Sequence, residues 1–191
     1  MRVVGGIAGG IQLHVPKTDL RPTMDVVKNA IFSSLAEFVP GTRVLDLFAG
    51  TGGLGIEALS RGATSCVFVE SDRRACDSIR RNLEKTKLTG GQIVCADALR
   101  WVGRNAQPAA FDLILADPPY AGGKTECDFA RELIVLPELI RALAPDGIFV
   151  LEHRPEEPLP LGAEWECTRD KRYGATAVAF LRAAHTSPSN D

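Results

Sequence analysis

One stretch decides the fold: residues Leu45–Leu59 read LDLFAGTGGLGIEAL. An apolar run that carries one acid breaks into a cluster of glycines, and an amphipathic stretch follows them. This pattern predicts a strand, a tight loop and a helix, because glycine tolerates the backbone angles of a sharp turn and lets another molecule approach the chain closely. The first turn of such a helix presents free N–H groups at the loop. The stretch therefore predicts a site for a small ligand.

Composition sets broad limits on what surrounds this loop. The chain has 191 residues, of which 45% are hydrophobic and 24% charged, so a single domain with one sizeable core is expected. A net charge of -2 gives no global attraction for nucleic acid, and any such binding needs a local basic patch. Five widely spaced cysteines predict reduced, mostly buried thiols, and no apolar run is long enough to cross a membrane. We expect a cytoplasmic protein.

From Arg43 onward, strands and helices alternate along the chain. Predicted strands cover 43–48, 66–70, 92–95, 111–116 and 148–152, and predicted helices cover 53–61, 72–87, 97–103 and 126–143. Such alternation predicts an α/β fold with a doubly wound and mostly parallel sheet. A further helix begins at Arg21-Pro22-Thr23, with Thr23 as its N-cap.

The two ends of the chain carry different patterns. Residues 1–20 predict a β-hairpin arm that is held less tightly than the rest, and 164–170 with 175–182 predict an antiparallel hairpin at the sheet edge. Residues 1–183 are therefore expected to form one domain, and 184–191 to form a disordered tail.

The glycine loop fits more than one ligand. Residues 50–55 match the pattern G-x-G-x-x-G, and Glu70 stands 20 residues after Gly50, as the acid that binds ribose does in dinucleotide sites. Asp46 lies inside the preceding strand, where a carboxylate suits a cationic ligand such as S-adenosylmethionine better than a pyrophosphate. Asp97 follows the third strand and is placed either to accept a hydrogen bond from adenine or to cap the next helix.

A second pattern specifies chemistry. The predicted strand 111–116 runs into Asp117-Pro118-Pro119-Tyr120. The carboxyl end of this strand borders the same crevice as the glycine loop. A base with an amino group would stack on Tyr120 while the Asp117 carboxylate and the Pro118 carbonyl accept its two amino hydrogens. The pattern predicts methyl transfer by in-line displacement at a sulfonium, favoured by orientation and electrostatics. A proline turn capped by aspartate is the alternative without chemistry.

The two patterns together look like motifs I and IV of S-adenosylmethionine-dependent amino-methyltransferases. More narrowly, the chain resembles the RsmD family, bacterial enzymes that methylate the 2-amino group of one guanine in 16S ribosomal RNA. The resemblance runs in order over roughly residues 2 to 182 and rests on Arg2-Val3-Val4-Gly5-Gly6, Leu20-Arg21-Pro22-Thr23, Leu59-Ser60-Arg61-Gly62-Ala63, Val69-Glu70-Ser71-Asp72 and Lys171-Arg172-Tyr173-Gly174-Ala175-Thr176.

The resemblance implies a Rossmann-like class I methyltransferase fold, S-adenosylmethionine as cofactor, and 16S ribosomal RNA or the assembling small subunit as partner. The residues themselves indicate no metal site and no membrane segment, and the oligomeric state is left open with a monomer favoured. Asp46, Gly50 and Gly52 would line the methionine half of the cofactor, Glu70 its ribose and Asp97 its adenine. The full cofactor-binding set is Asp46, Phe48, Ala49, Gly50, Thr51, Gly52, Glu70, Ser71, Asp97 and Ala98. The target base would contact Asp117, Pro118, Pro119 and Tyr120.

Phosphate contacts are implied at Arg2, Arg21, Lys28, Lys171 and Arg172, with Lys17 and Arg43 as further candidates. The arm departs from the family where a basic Gly-Arg-Lys-Leu-like segment is common, because this chain has Gly10-Ile11-Gln12-Leu13. That departure implies fewer phosphate contacts on the arm.

Three other functions fit parts of the sequence. A DNA adenine methyltransferase would also use Asp117–Tyr120, although the chain leaves little room for a target-recognition region. An NAD(P)-dependent oxidoreductase would explain the glycines and Glu70 but not Asp46 or Asp117. A non-catalytic RNA-binding or assembly module would retain the pocket without activity.

Trp101 and Trp165 are expected to pack in the core or at an edge, and His153 could border the crevice.

Overall fold

A computed structural model describes residues 1–15, 24–119 and 128–184 of the chain. The strands are β1 (Arg43–Leu47), β2 (Ser65–Glu70), β3 (Gly91–Cys95), β4 (Phe111–Ala116), β5 (Leu143–His153), β6 (Trp165–Tyr173) and β7 (Thr176–Ala183). The helices are α1 (Met24–Leu35), α2 (Gly53–Ser60), α3 (Arg73–Thr86), α4 (Ala98–Asn105), α5 (Phe129–Ile134) and α6 (Pro137–Ala142), and a 3-10 turn, Ala36–Phe38, follows α1. Within these ranges no helix is long and apolar enough to cross a membrane.

The strands form one sheet in the order β3-β2-β1-β4-β5-β7-β6. Strands β1 to β5 pair in parallel, whereas β7 pairs antiparallel with both β5 and β6. The predicted fold class and the antiparallel edge hairpin are thereby confirmed. Strand order reverses direction between β1 and β4, and the crevice at such a switch point is where open α/β sheets bind ligands.

Helices cover both faces of the sheet because its central strands are apolar on both sides. Val44 of β1 belongs to the cluster that packs against α1, α2 and α3. Leu45 and Leu47 belong to the cluster on the opposite face, under α4, α5 and α6. Since side chains alternate along a strand, Asp46 faces the α1–α3 layer together with Val44.

The predicted helix over 126–143 is wrong as a single helix. It is divided into α5 and α6, and Leu136 between them has extended backbone angles. Pro137 occupies the first turn of α6, where it lacks the N–H that would continue a helix and disfavours helical angles at the preceding residue. Strand β5 also begins earlier than predicted, and its register with β4 shifts between Phe111 and Leu113.

The amino-terminal arm forms the predicted hairpin, with Val3 N–H donating to the Ile11 carbonyl and an isolated bridge between Arg2 and Gln12. The expectation that it is held loosely is wrong. Val3 is fully buried, and Glu57 of α2, also fully buried, accepts hydrogen bonds from the next two backbone amides of the arm. The predicted helix start at Arg21–Thr23 and the tail 185–191 lie outside the described residues.

Candidate cofactor and substrate site

Both sequence patterns end at the same edge of the sheet. Leu47 of β1 pairs with Ala116 of β4, so Phe48 and Asp117 leave neighbouring parallel strands side by side. The loop after β1 and the segment after β4 therefore border one crevice, as the sequence predicts.

The loop after β1 has an unusual backbone. Phe48, Gly50 and Gly52 all have positive φ, at 55°, 54° and 83°. For Phe48 this left-handed conformation costs on the order of 1–3 kcal/mol and persists only where surrounding contacts fix it. Its ring packs against Phe129 of α5 with centroids 5.3 Å apart, which holds the residue in place. A side chain at Gly50 would meet no described residue within 4 Å, so this part of the loop has room for a ligand.

Glu70 supports this loop directly. One carboxylate oxygen accepts the Gly50 N–H at 2.8 Å, and the other accepts the Asp72 N–H at 2.8 Å and the Ser71 hydroxyl at 3.3 Å. The sequence predicted Glu70 as a ribose ligand and missed this structural role. A carboxylate offers about four acceptor positions, so with these three bonds in place one ribose hydroxyl would still find a partner there.

Asp46 is buried, with 1% of its surface exposed, and accepts the N–H of Gly55 in the first turn of α2 at 2.8 Å. Burial raises the pKa of its carboxyl well above the ordinary value, and the charges of Asp117 and Glu70 raise it further, whereas the bond from Gly55 lowers it. A side chain at Gly55 would approach the Phe68 ring to 2.3 Å, so only glycine allows this packing. Direct contact between Asp46 and a cofactor stays a prediction.

Asp97 caps α4, since its side chain accepts the Arg100 N–H at 2.9 Å. The capping alternative is therefore present in the structure. Its carboxylate is exposed, and the neighbouring Ala98 is buried beneath the helix start. A bond to adenine stays a prediction, as do cofactor contacts at Ala49, Thr51 and Ala98.

The segment after β4 contributes to a cavity. Pro118 and Pro119 line a cleft of about 390 Å³, a volume that includes its open mouth, together with Asp128, Ala130, Arg131, His153, Arg154, Glu157, Pro158 and Leu159. Asp117, which precedes these prolines, is half-buried, and Tyr120 lies outside the described residues. His153 lines this cleft, and its Nδ1 is 2.9 Å from the Arg154 carbonyl oxygen and its Nε2 is 3.1 Å from Asp170 Oδ1. A position of His153 at the crevice of the glycine loop stays a prediction.

The predicted phosphate contacts differ in position and in exposure. Lys171 and Arg172 lie near the carboxyl end of β6, which runs parallel to β1 and so ends at the crevice edge. Both are exposed, and Arg172 pairs with Glu156 at 2.9 Å. Arg2 is also exposed. Arg43 is bound to Asp112 at the amino end of β1, on the edge away from the crevice. Lys17 and Arg21 lie outside the described residues.

Lys28 is wrong as a phosphate contact. It is 3% exposed, and its ammonium group donates to the Arg2 carbonyl and lies 3.6 Å from Glu57 and 3.8 Å from Asp25. Burial lowers the pKa of Lys28, while both carboxylates act to raise it. The residue fixes the arm from beneath and does not reach solvent.

The remaining candidates have structural roles. Trp165 is buried and donates to the Ile134 carbonyl at 2.8 Å, and Trp101 packs beside Phe111, so the prediction of packing is confirmed for both. Cys66 and Cys76 are buried, whereas Cys95 and Cys167 are exposed, and all four are free thiols. No cluster of three metal-ligating side chains occurs in the ranges that the structure covers.

The sheet order and the paired loops after β1 and β4 define a Rossmann-like fold of the class I methyltransferases. The chain belongs to the family described as Conserved hypothetical protein 95, which matches residues 1–182. It is 40% identical over 186 residues to YlbH of Bacillus subtilis, with 95% of this chain and 98% of that protein covered. It is 34% identical over 184 residues to Ribosomal RNA small subunit methyltransferase D of Escherichia coli, covering 95% and 89%. The resemblance to the RsmD family is thereby confirmed.

Solved structures agree with this assignment. The Escherichia coli protein yhhF shares 27% identity with a TM-score of 0.79 and covers 97% of this chain and 98% of its own. The Thermus thermophilus 16S rRNA N2 methyltransferase RsmC, solved with AdoMet and guanosine, shares 25% identity with a TM-score of 0.67. That similarity covers 88% of this chain and 44% of RsmC.

Proposed function

We propose that this protein uses S-adenosylmethionine to methylate the exocyclic 2-amino group of a guanine in 16S ribosomal RNA. The observation that carries the proposal is the shared crevice of the Glu70-supported glycine loop and the Asp117-Pro118 segment, on adjacent strands β1 and β4. Relatives whose names describe ribosomal RNA methyltransferases support the substrate class. An enzyme with this substrate would act in the cytoplasm, on free RNA or on the assembling small subunit.

The crevice suits a positively charged cofactor. Asp46, Glu70 and Asp117 are close enough for the last two to raise the pKa of the first. Three neighbouring carboxylates repel one another, and a cation bound among them would relieve that repulsion. S-adenosylmethionine supplies an electrophilic methyl group on a sulfonium. The space beside Gly50 would accommodate the part of the cofactor that lies against the loop. The acceptor oxygens of Glu70 suit its ribose.

The residues of this chain then have to orient an amine. The Asp117 carboxylate and the Pro118 carbonyl would accept the two amino hydrogens, which directs the nitrogen lone pair toward the methyl group. Two consecutive prolines restrict the backbone, so these acceptors are positioned before the base arrives. Catalysis of this kind depends on orientation and electrostatics, with no strong general base.

The proposal is tested by methyl incorporation. Purified protein is incubated with S-adenosylmethionine carrying a labelled methyl group and with small ribosomal subunits, naked 16S RNA or duplex DNA. We expect label in RNA or subunits, and N2-methylguanosine in the digested product by mass spectrometry. N6-methyladenine in DNA would instead identify the adenine methyltransferase, and no binding of S-adenosylhomocysteine by calorimetry would contradict the cofactor assignment.

A further inference from the structure

Asn82 of α3 connects two parts of the molecule that are far apart in sequence. Its Oδ1 accepts the His14 N–H at 2.6 Å, and its amide nitrogen donates to the His14 carbonyl at 3.1 Å and to the Thr51 carbonyl at 2.9 Å. His14 belongs to the arm, and Thr51 belongs to the glycine loop. A flipped amide would lose the bonds to all three backbone groups, so the orientation of the side chain is determined.

The connection is buried at its loop end. Asn82 is 0% exposed and Thr51 is 8% exposed, so bulk water does not readily replace the bond between them. His14 is exposed, and its two bonds to Asn82 are partly buried. Removal of a buried partner leaves polar backbone groups unsatisfied, which costs more than the bond itself contributes. The bonds to Asn82 therefore stabilise the position of the arm relative to the glycine loop.

Other contacts of the arm lead to the same region. Met1 packs so closely on the backbone of Gly53 that a side chain at Gly53 would meet the Met1 sulfur at 2.5 Å. Glu57, one turn further along α2, accepts the Val4 and Gly5 amides at 2.7 and 2.8 Å. The arm thus rests on α2 and α3, the helices that flank the glycine loop.

We infer that Asn82 is a positioning residue that couples the arm to the cofactor loop, so that the order of the arm and the affinity for cofactor depend on each other. This inference rests on the proposed seat of the cofactor against the glycine loop. Coupling between two sites is reciprocal, so a partner that orders the arm would tighten cofactor binding by the same factor. For an RNA substrate held by the arm, cofactor and substrate would then bind cooperatively.

The test measures arm order through amide exchange. Val3 N–H bonds to the Ile11 carbonyl and Leu13 N–H to the Met1 carbonyl, so these amides report on the arm without being partners of Asn82. In wild-type protein, saturating S-adenosylhomocysteine is expected to slow their exchange about tenfold, a typical coupling between sites. In Asn82→Ala, affinity by calorimetry falls about tenfold, and the bound ligand no longer slows exchange at either amide.

Ser78→Ala is the matched control. Ser78 is buried on the same helix, one turn before Asn82, and its hydroxyl donates to the Arg74 carbonyl within α3. This variant should keep the wild-type affinity for the ligand, and bound ligand should still slow amide exchange in the arm. The substitution removes a bond within α3 but leaves the bonds from Asn82 to the arm and to the loop. Loss of the ligand effect in Ser78→Ala as well would overturn the specific role of Asn82.

Gly6→Ala tests the coupling from the other side. Gly6 has φ +75°, and an added Cβ would lie 1.9 Å from the Ser60 carbonyl oxygen, so the substitution displaces the arm while Asn82 stays intact. We expect a loss of about fivefold in ligand affinity. This variant decides the question if Asn82→Ala does not fold.

Two results would contradict the inference. Unchanged arm exchange on ligand binding to the wild type, or unchanged affinity in Gly6→Ala with faster arm exchange, would overturn the coupling alone. Absence of binding to the wild type would overturn the proposed cofactor seat and the coupling with it.

Discussion

Asp117 is the residue on which the proposed chemistry depends most. Asp117→Asn keeps the size of the side chain but replaces one acceptor oxygen with a donor, which points the wrong way for an amino hydrogen. We expect kcat for methyl transfer to fall about 10²–10³-fold, as when one electrostatic contact to a reacting group is removed.

Steady-state methylation of small ribosomal subunits measures kcat. Calorimetry with S-adenosylhomocysteine measures ligand binding by the same variant. Asp112→Asn is the control, because Asp112 lies at the opposite end of β4 and pairs with Arg43. Its activity should equal that of the wild type. Wild-type turnover in Asp117→Asn would remove Asp117 from the catalytic site.

Asp46 shows a conflict between stability and binding at a single residue. Its raised pKa means that the folded state disfavours the charged carboxylate, chiefly because of burial. For an acid with a raised folded pKa, stability is lost as pH rises above the unfolded value, near 3.8, toward the folded one. Asp46→Asn retains an oxygen for the Gly55 N–H and has no charge to bury.

We therefore expect Asp46→Asn to be more stable than wild type at neutral pH, by about 1 kcal/mol or roughly 2–4 °C in Tm, and equal to it in strong acid. Affinity for S-adenosylmethionine should fall more than affinity for S-adenosylhomocysteine, which lacks the sulfonium charge. Thermal melts over a pH series and calorimetry with both ligands measure these effects. Equal loss for the two ligands would indicate that Asp46 does not interact with the sulfonium.

At the scale of elements, helix α1 supports the arm through one buried cation. Lys28→Ala leaves the fully buried Glu57 with Arg61 as its remaining cationic partner among the described residues, and it removes the donor to the Arg2 carbonyl. Breaking such a buried pair typically costs about 3–5 kcal/mol. The bonds that Glu57 keeps from Val4 and Gly5 place our expectation near the lower end of this range.

Urea unfolding measures this cost, with Lys171→Ala as the exposed control that should change stability by less than about 0.5 kcal/mol. If Lys28→Ala instead leaves stability unchanged and weakens RNA binding, the assignment of Lys28 to the interior is contradicted.

The elements also show which features a sequence reveals. The ends of β1 and β4 were predictable because apolar runs stop at glycine or proline. The division between α5 and α6 was missed because the apolar periodicity continues across Pro137. Lys28 carried a signal that was overlooked: it stands four residues before the buried Phe32, on the same helical face. Its partner Glu57 is distant in sequence, and only the packing of α1 on α2 brings the two together.

The features of the candidate site also differ in whether they could be predicted from the sequence. The positions of the glycine loop and of Asp117-Pro118 followed from strand order, because parallel strands place their carboxyl ends together. The roles of Glu70 in supporting the loop and of Asn82 in joining it to the arm depend on side-chain packing, which no spacing rule encodes.

At the scale of the whole molecule, RNA binding has to be local because the net charge is -2. Lys171 and Arg172 at the crevice edge and Arg2 on the arm are the exposed candidates. In the variant with Lys171 and Arg172 both changed to alanine, affinity for 16S RNA should fall and the salt dependence should become shallower. The slope of log K against log salt should decrease by roughly 0.7–0.9 for each phosphate that the variant no longer neutralises.

Filter binding over a salt series measures the slope, and Arg104→Ala is the control, because Arg104 is exposed in the last turn of α4, away from the crevice. An unchanged slope in the Lys171 and Arg172 variant would place the RNA surface elsewhere.

The pattern of strand β6 has a consequence for solubility as well as for recognition. It is the last strand of the sheet, and its residues from Glu166 to Arg172 are exposed and largely charged. An uncovered strand edge is a template on which another chain could add a strand, and charged side chains discourage that. The basic residues proposed to hold RNA would thus also keep copies of this protein from joining sheet to sheet. Their replacement by apolar residues would be expected to cause aggregation even where the fold itself is unharmed.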